Sequence, residues 1–416
     1  AANANPSTKL VDVTNVTDAG ASAFAPRVPW RLAVLLSAAL SLVCWLTAVW
    51  GLEGSAVALQ ILQYGWAPLA ATAVLLYLGL AGRGRGANDG ATSAPGPARI
   101  VTGVLVMAAF ALHARAFAPP SGPVIAFLAW IHLPALSWLV LGVLVIGRTS
   151  DARERFAAII KSIEVLVTAA IYGAAAAIFA VLTRTLFGAL GVSVPERVGW
   201  WFIAGLPGLI PVLAVASVYD AARCPSAQPL GHGMTRVFFL VARFFLALTL
   251  AVLAVYVLTI PSHFLRPFQS RETLIVFNAM LFAVMLLLVC ATPLTRGDLA
   301  AGAEAWLRRG IVAVAALTLV IGLYALSAVV YRAVQGGLTA NRFTVIGWNV
   351  VNIGVLALLL AKQARARRDG WVHALHQAFG TGLLGYALWT VFVVVVVPLI
   401  ARAAGWPVQD PQTWPR

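Results

Sequence analysis

Long stretches of this chain are apolar on every face a helix would present, and short polar segments separate them. The apolar runs fall near 30–50, 57–81, 99–118, 122–147, 161–186, 199–219, 237–260, 273–291, 310–333, 343–362 and 378–401. Each holds roughly twenty or more mostly apolar residues, which at about 1.5 Å per residue matches a hydrocarbon core about 30 Å thick. The pattern therefore predicts an all-α protein, a polytopic transmembrane bundle of about 11 spans in a single domain over 30–401. A barrel strand would need only about ten residues of alternating polarity, whereas 244–260 is apolar without alternation. Two runs carry interruptions: His113 and Arg115 in 99–118, and Pro207 and Pro211 in 199–219. Proline is tolerated within a membrane helix when neighbouring groups satisfy the carbonyls it frees.

The segments between the runs are short. Residues 1–29 are small and polar and predict a disordered cytoplasmic tail, with no cleavage pattern after the first apolar run. The Gly/Pro/Ser-rich stretch 82–98 predicts a flexible linker, and 402–416 a short periplasmic tail. Segment 292–309 predicts a short interfacial helix, with Leu299, Ala303 and Leu307 on one side and Arg308 and Arg309 at its end. None of these loops could hold a soluble catalytic domain, so the chemistry is expected within the membrane or at its faces. No internal repeat of the inverted-transporter kind is visible.

Composition agrees with that class: 61% of residues are hydrophobic, 10% are charged, and mean hydropathy is +0.90. Charge adds an orientation. If the N-terminus lies inside, 19 of the 29 Lys and Arg residues fall in inner segments and 9 in outer ones, with Arg243 inside a span. The positive-inside rule then predicts a cytoplasmic N-terminus and a periplasmic C-terminus. The net charge of +15 is spread over these inner segments, beside helix ends that meet anionic headgroups. Membrane lipids are thus the expected partners. No basic groove with interleaved aromatics points to nucleic acid. The densest cluster, Lys362 to Arg368, reads as a topological anchor in preference to a lipid-specific site.

Few residues carry chemistry. Cys44, Cys224 and Cys290 have no metal-like or disulfide spacing, and the His373/His376 pair lacks the further ligands of a metal site. No metal or cofactor is expected. Ionisable groups at membrane depth are more informative, because a buried charge is costly unless paired or hydrated. Lys161 and Glu164 share a helical face at i,i+3, and Thr168 and Tyr172 continue the stripe. They read either as a proton or cation relay or as a hydrated interfacial pair. Arg243 is expected to snorkel or to pair with Glu164 or Asp220. His132, with His113 and Arg115, suggests a polar patch met by packing or by a hydrogen bond to a carbonyl.

The sharpest motif lies between the ninth and tenth runs, YALSAVVYRAVQGGLTANRFTVIGWNVVN. Tyr324, Ser327 and Tyr331 fall on one side of the ninth span, and Arg332 sits near its outer end. After the Gly336–Gly337 break, Asn341 is expected to cap the tenth span. Arg342, Asn349 and Asn352 follow. Two amides nearly one turn apart in an apolar helix require partners across the bundle. Arg332 and Arg342, bracketing the turn, could hold a phosphate or carboxylate, including a lipid headgroup, or lock the turn through carbonyl contacts.

Tyr331-Arg332, followed by Gly337-Leu338-Thr339-Ala340-Asn341-Arg342, resembles the Arg…Tyr-Gly-Leu-Thr-x-Asn-Arg signature of the DUF4153 family of bacterial multi-spanning membrane proteins. Here Gly336 stands where that family commonly has tyrosine. The resemblance implies an integral inner-membrane protein and brings no substrate or reaction. Three function classes follow. A transporter or permease is favoured by the span count and the polar residues at depth. A non-catalytic accessory or assembly subunit with a membrane-protein partner fits the sparse ionisable groups and small-residue faces such as Ala174–Ala177. An intramembrane enzyme on a lipid-linked or envelope substrate would need Glu164, His132 or Arg332 and Arg342 to converge on one cavity.

Overall fold

The computed structural model describes residues 28–83, 94–118, 122–147, 151–192, 195–230, 234–295, 297 and 301–404. Of the expected tails 1–29 and 402–416, residues 1–27 and 405–416 lie outside the described residues, as do the centre of the 82–98 linker and Leu299. Among the described residues eleven long helices follow one another: α1 (Trp30–Leu52), α2 (Ala56–Arg83), α3 (Pro97–Phe117), α4 (Pro123–Ile146), α5 (Ala152–Ala189), α6 (Glu196–Val218), α7 (Met234–Thr259), α8 (Arg271–Ala291), α9 (Ala301–Gly336), α10 (Ala340–Arg365) and α11 (Trp371–Ala403). All eleven are long and apolar enough to cross a membrane, and the chain is a multi-pass helical membrane protein. The odd-numbered helices begin on the face that carries the basic loops, called here the basic face.

Three helices begin well before their apolar runs. Asp151 caps α5 ten residues ahead of position 161, its carboxylate accepting from the Arg153 amide. α9 starts at Ala301, so the expected interfacial helix at 292–309 is instead largely the first turns of one continuous 36-residue helix. Nothing in 301–310 stops helical hydrogen bonding, and Arg308 is taken up by the carbonyls of Gln363 and Ala366 at 2.9 and 3.0 Å. α6 likewise runs unbroken through Pro207 and Pro211.

The helices pack as two groups. α1, α2, α3, α4 and α6 share a core around Leu75, Tyr77, Met107 and Val212. α7 to α11 share another around Leu246, Leu288, Ile311 and Leu356. The first half of α5 serves both, with Phe156 and Ile160 in the second core and Val165 in the first. A third cluster, including Tyr64, Leu128, Ala340 and Val393, joins the groups nearer the opposite face. Within α11 the turn Phe392–Val396 is a π-helix just ahead of Pro398, which has no amide to donate. His113 of α3 meets the Val395 carbonyl there at 3.0 Å.

Candidate functional site

The most polar buried point lies where α5 crosses the seam. Lys161 Nζ donates to Glu164 Oε2 at 2.7 Å, and the two side chains are only 4% and 8% exposed. The same ammonium donates to the Val218 carbonyl at 2.9 Å, at the last residue of α6. A cation is favoured there, because the final carbonyls of a helix lack amide partners and carry the negative end of its dipole. Just beyond, Tyr172 donates to Ser217 at 2.6 Å while Ser217 donates to the Leu213 carbonyl, so the α5 stripe read from sequence is tied to α6. On the α4 side Trp138 donates to Ser162 at 3.0 Å. Lys161 and Ser162 line a cavity of about 50 Å³ together with residues of α2, α4 and α6. At about 10–15 Å³ for one water, it has room for a few.

A second polar group lies halfway along α4 and α10. His132 Nδ1 donates to the Leu128 carbonyl at 2.7 Å, which leaves Nε2 to accept from the Trp348 indole at 2.9 Å. Trp348 also packs on Tyr386 of α11, whose hydroxyl donates to the Asn352 carbonyl oxygen. One turn before, Asn349 donates to Asn278 of α8 at 2.7 Å and to the Val345 carbonyl at 2.8 Å. Both amides of α10 thus find partners on other helices, although Asn349 Oδ1 is buried without one. The group joins α4, α8, α10 and α11. Trp348→Phe keeps the packing but leaves His132 Nε2 without its donor. The expected cost is about 1–3 kcal/mol, read as a lower unfolding midpoint in detergent.

The α9–α10 turn is built differently from the sequence expectation. Thr339, not Asn341, caps α10: its backbone is extended and its hydroxyl accepts from the Arg342 amide at 3.4 Å. Helical geometry begins at Ala340, which puts Asn341 two residues too late to cap. Arg342 donates to the Gly337 carbonyl at 2.6 Å, and its guanidinium lies over Gly336, where a Cβ would stand 2.9 Å from it. Gly337 itself has φ +78°, a conformation that glycine adopts without strain. This arginine holds the turn. Arg332 is half-buried, and one of its terminal nitrogens has no hydrogen-bond partner. Tyr331, half-exposed, packs edge-on against Phe268.

The remaining candidates are placed apart. Glu164 is engaged by Lys161 and Asp220 by Arg223 at 3.4 Å, while the Arg243 guanidinium lies 5.9 Å from the Phe239 ring centre. His376 stacks on Phe156 and meets the Pro293 carbonyl at 3.0 Å, whereas His373 bonds Gln377. Among the described residues no three of His, Cys, Asp and Glu gather into a metal-sized group. Glu164, His132 and Arg342 each meet their own neighbours rather than a common cavity. Sequence reading passed over Trp348, Tyr386 and Asn278, since aromatic and amide side chains in apolar helices carry no periodic signal of their partners. It also passed over Glu154, buried and accepting from the Ser226 amide at 3.3 Å. No family model, curated protein or solved structure matches the chain.

Proposed function

We propose that this chain is a permease-like protein of a bacterial inner membrane, passing a proton or small cation and using Lys161 and Glu164 as the coupling pair. The observation that carries this reading is the buried ion pair, whose Lys161 lines a cavity with room for a few waters, at the helix that joins the two packing groups. Uncompensated charge at such depth is expensive, so the state of the pair governs how α5 can sit. A proton taken up by Glu164 neutralises the carboxylate. Lys161 is then left bonded to the Val218 carbonyl alone, which loosens the tie between its two turns of α5 and shifts its hold onto α6. Loss of that proton to the other side restores the pair.

The placement of the basic loops supports a cytoplasmic N-terminus, with the cavity nearer the cytoplasm. The inner-membrane location also draws on the resemblance of the 331–342 turn to the DUF4153 family. Proteoliposomes containing a pH-sensitive dye test the proposal. Under a potassium diffusion potential the wild-type protein should acidify or alkalinise the lumen faster than protein-free vesicles. The double substitution Lys161→Met with Glu164→Gln should slow that flux roughly tenfold or more, since the coupling charges are gone. Wild-type vesicles as proton-tight as empty ones would defeat the reading.

One observation favours the assembly reading as the runner-up. From Ala174 to Leu190 most of α5 is exposed, including Ile178, Phe179, Leu182 and Leu186. Such a helix has lipid or a membrane-protein partner as its surroundings.

A further inference from the structure

On the basic face a second, larger hollow of about 350 Å³ opens between the start of α5, the end of α10 and the start of α11. Its walls include Arg155, Lys362, His373, Gln377 and Thr381, with Asp151 at its edge. The arrangement is partly pre-set. Lys362 Nζ donates to Gln377 Oε1 at 3.0 Å, and the amide nitrogen of Gln377 bonds His373 Nε2 at 2.8 Å. Lys362 therefore keeps two further N–H groups for another acceptor.

Arg155 is the decisive residue. It is half-buried, and its Nε is fully enclosed without a hydrogen-bond partner. Gly380 makes room for it: a Cβ at that position would stand 3.2 Å from Arg155 Nε. Asp151, one helical turn earlier, caps α5 through the Arg153 amide and forms no ion pair with Arg155. Two cationic side chains thus face the hollow against one carboxylate at its edge, which leaves a net positive charge. α5 and α11 both begin beside it, and a helix start favours negative charge.

We infer that this hollow is a binding site for a phosphate group, taken between the Arg155 guanidinium and the Lys362 ammonium. A guanidinium fork and an ammonium together suit the several oxygens of a phosphate, and the hollow has space for the group and a glycerol-sized substituent. The phosphate could belong to an anionic lipid headgroup or to a soluble phosphate compound. The inference does not depend on the Lys161–Glu164 pair.

The test measures equilibrium binding to the whole purified chain in a neutral detergent. The probes are dioctanoyl phosphatidylglycerol and inorganic phosphate, with dioctanoylglycerol as the phosphate-free control. At least one phosphate-bearing probe should bind while the control does not. Its affinity should fall roughly tenfold or more in Arg155→Gln and in Lys362→Gln, matching the loss of a charge-assisted hydrogen bond. It should be unchanged in Arg368→Gln, which alters the adjacent basic loop without touching the hollow. Binding of the lipid alone identifies a headgroup site, and binding of inorganic phosphate identifies a soluble source. Should Arg155→Gln fail to fold, Lys362→Gln decides. The inference is overturned if neither phosphate probe binds, if the hollow variants bind as wild type, or if Arg368→Gln loses as much as they do.

Discussion

Lys161→Ala is expected to destabilise the protein by about 3–5 kcal/mol, the cost of leaving a buried partner charge uncompensated. Glu164 would keep its burial, at 8% side-chain exposure, and lose the ammonium 2.7 Å away. The last turn of α6 would also lose the donor on its Val218 carbonyl. Removing both charges at once should behave differently. Lys161→Met with Glu164→Leu replaces the pair by apolar side chains of similar length, and such exchanges are often neutral or stabilising by about 1–4 kcal/mol. Unfolding midpoints of Lys161→Met, Glu164→Leu and the double, measured in mixed micelles, complete a double-mutant cycle. Additive losses would mean that the pair is not coupled, and both the stability argument and the transport proposal would lose their basis. A double variant that folds normally yet carries no flux would separate the functional role of the pair from its structural one.

Gly208→Ala is the second large effect. α1 and α6 approach so closely that a Cβ on Gly208 would stand 2.4 Å from the Ser41 amide nitrogen and 2.5 Å from its Cα. Those are backbone atoms, so no rotamer change relieves the overlap and the two helices must separate. Inserting a methyl group into a packed interior costs about 1–3 kcal/mol, and here the upper end or beyond is expected because the whole α1–α6 contact moves. Gly205, three residues earlier on the same helix, is the internal control. Its Cβ would meet only the Ser41 hydroxyl at 2.8 Å, and that group can rotate away. Gly205→Ala should therefore be milder, and Ser41→Gly should rescue it without rescuing Gly208→Ala. The yield of monodisperse protein after detergent extraction ranks the variants. Equal yields for Gly208→Ala and wild type would show that α1 can shift without loss.

Much of the architecture was legible because lipid imposes a simple demand: each span must be apolar over most of a 30 Å path and must satisfy its own backbone. The apolar runs record that demand directly. Helix ends were less legible. α5, α9 and α11 each begin several residues ahead of the apolar signal, in stretches containing Glu154, Arg308 and His376. Hydropathy falls there, but helical hydrogen bonding continues, because those side chains find partners in Ser226, Gln363 and Pro293. The cap of α10 is not decided by residue type. Asn341 and Thr339 are both good capping residues, and only the backbone course after Gly337 selects the threonine.

The candidate site divides along the same line. The Lys161–Glu164 pair is three residues apart on one helix, so its spacing is written in the chain. The need of Asn349 and Asn352 for partners was equally visible, since an amide in an apolar helix cannot remain unbonded at low cost. The identity of those partners was not. Asn278 is 71 residues from Asn349, and Trp348 reaches back 216 residues to His132. Arg155 is one more basic residue among 29 until α11 brings Gly380 beneath it. By itself the sequence determined the eleven spans, the in-helix ion pair and the polar positions that require company, because hydropathy and helical spacing are local properties. Which side chains meet, which glycine admits a neighbouring backbone and which arginine lacks a counter-ion were decided only by tertiary structure, since those depend on helices far apart in the chain being packed side by side.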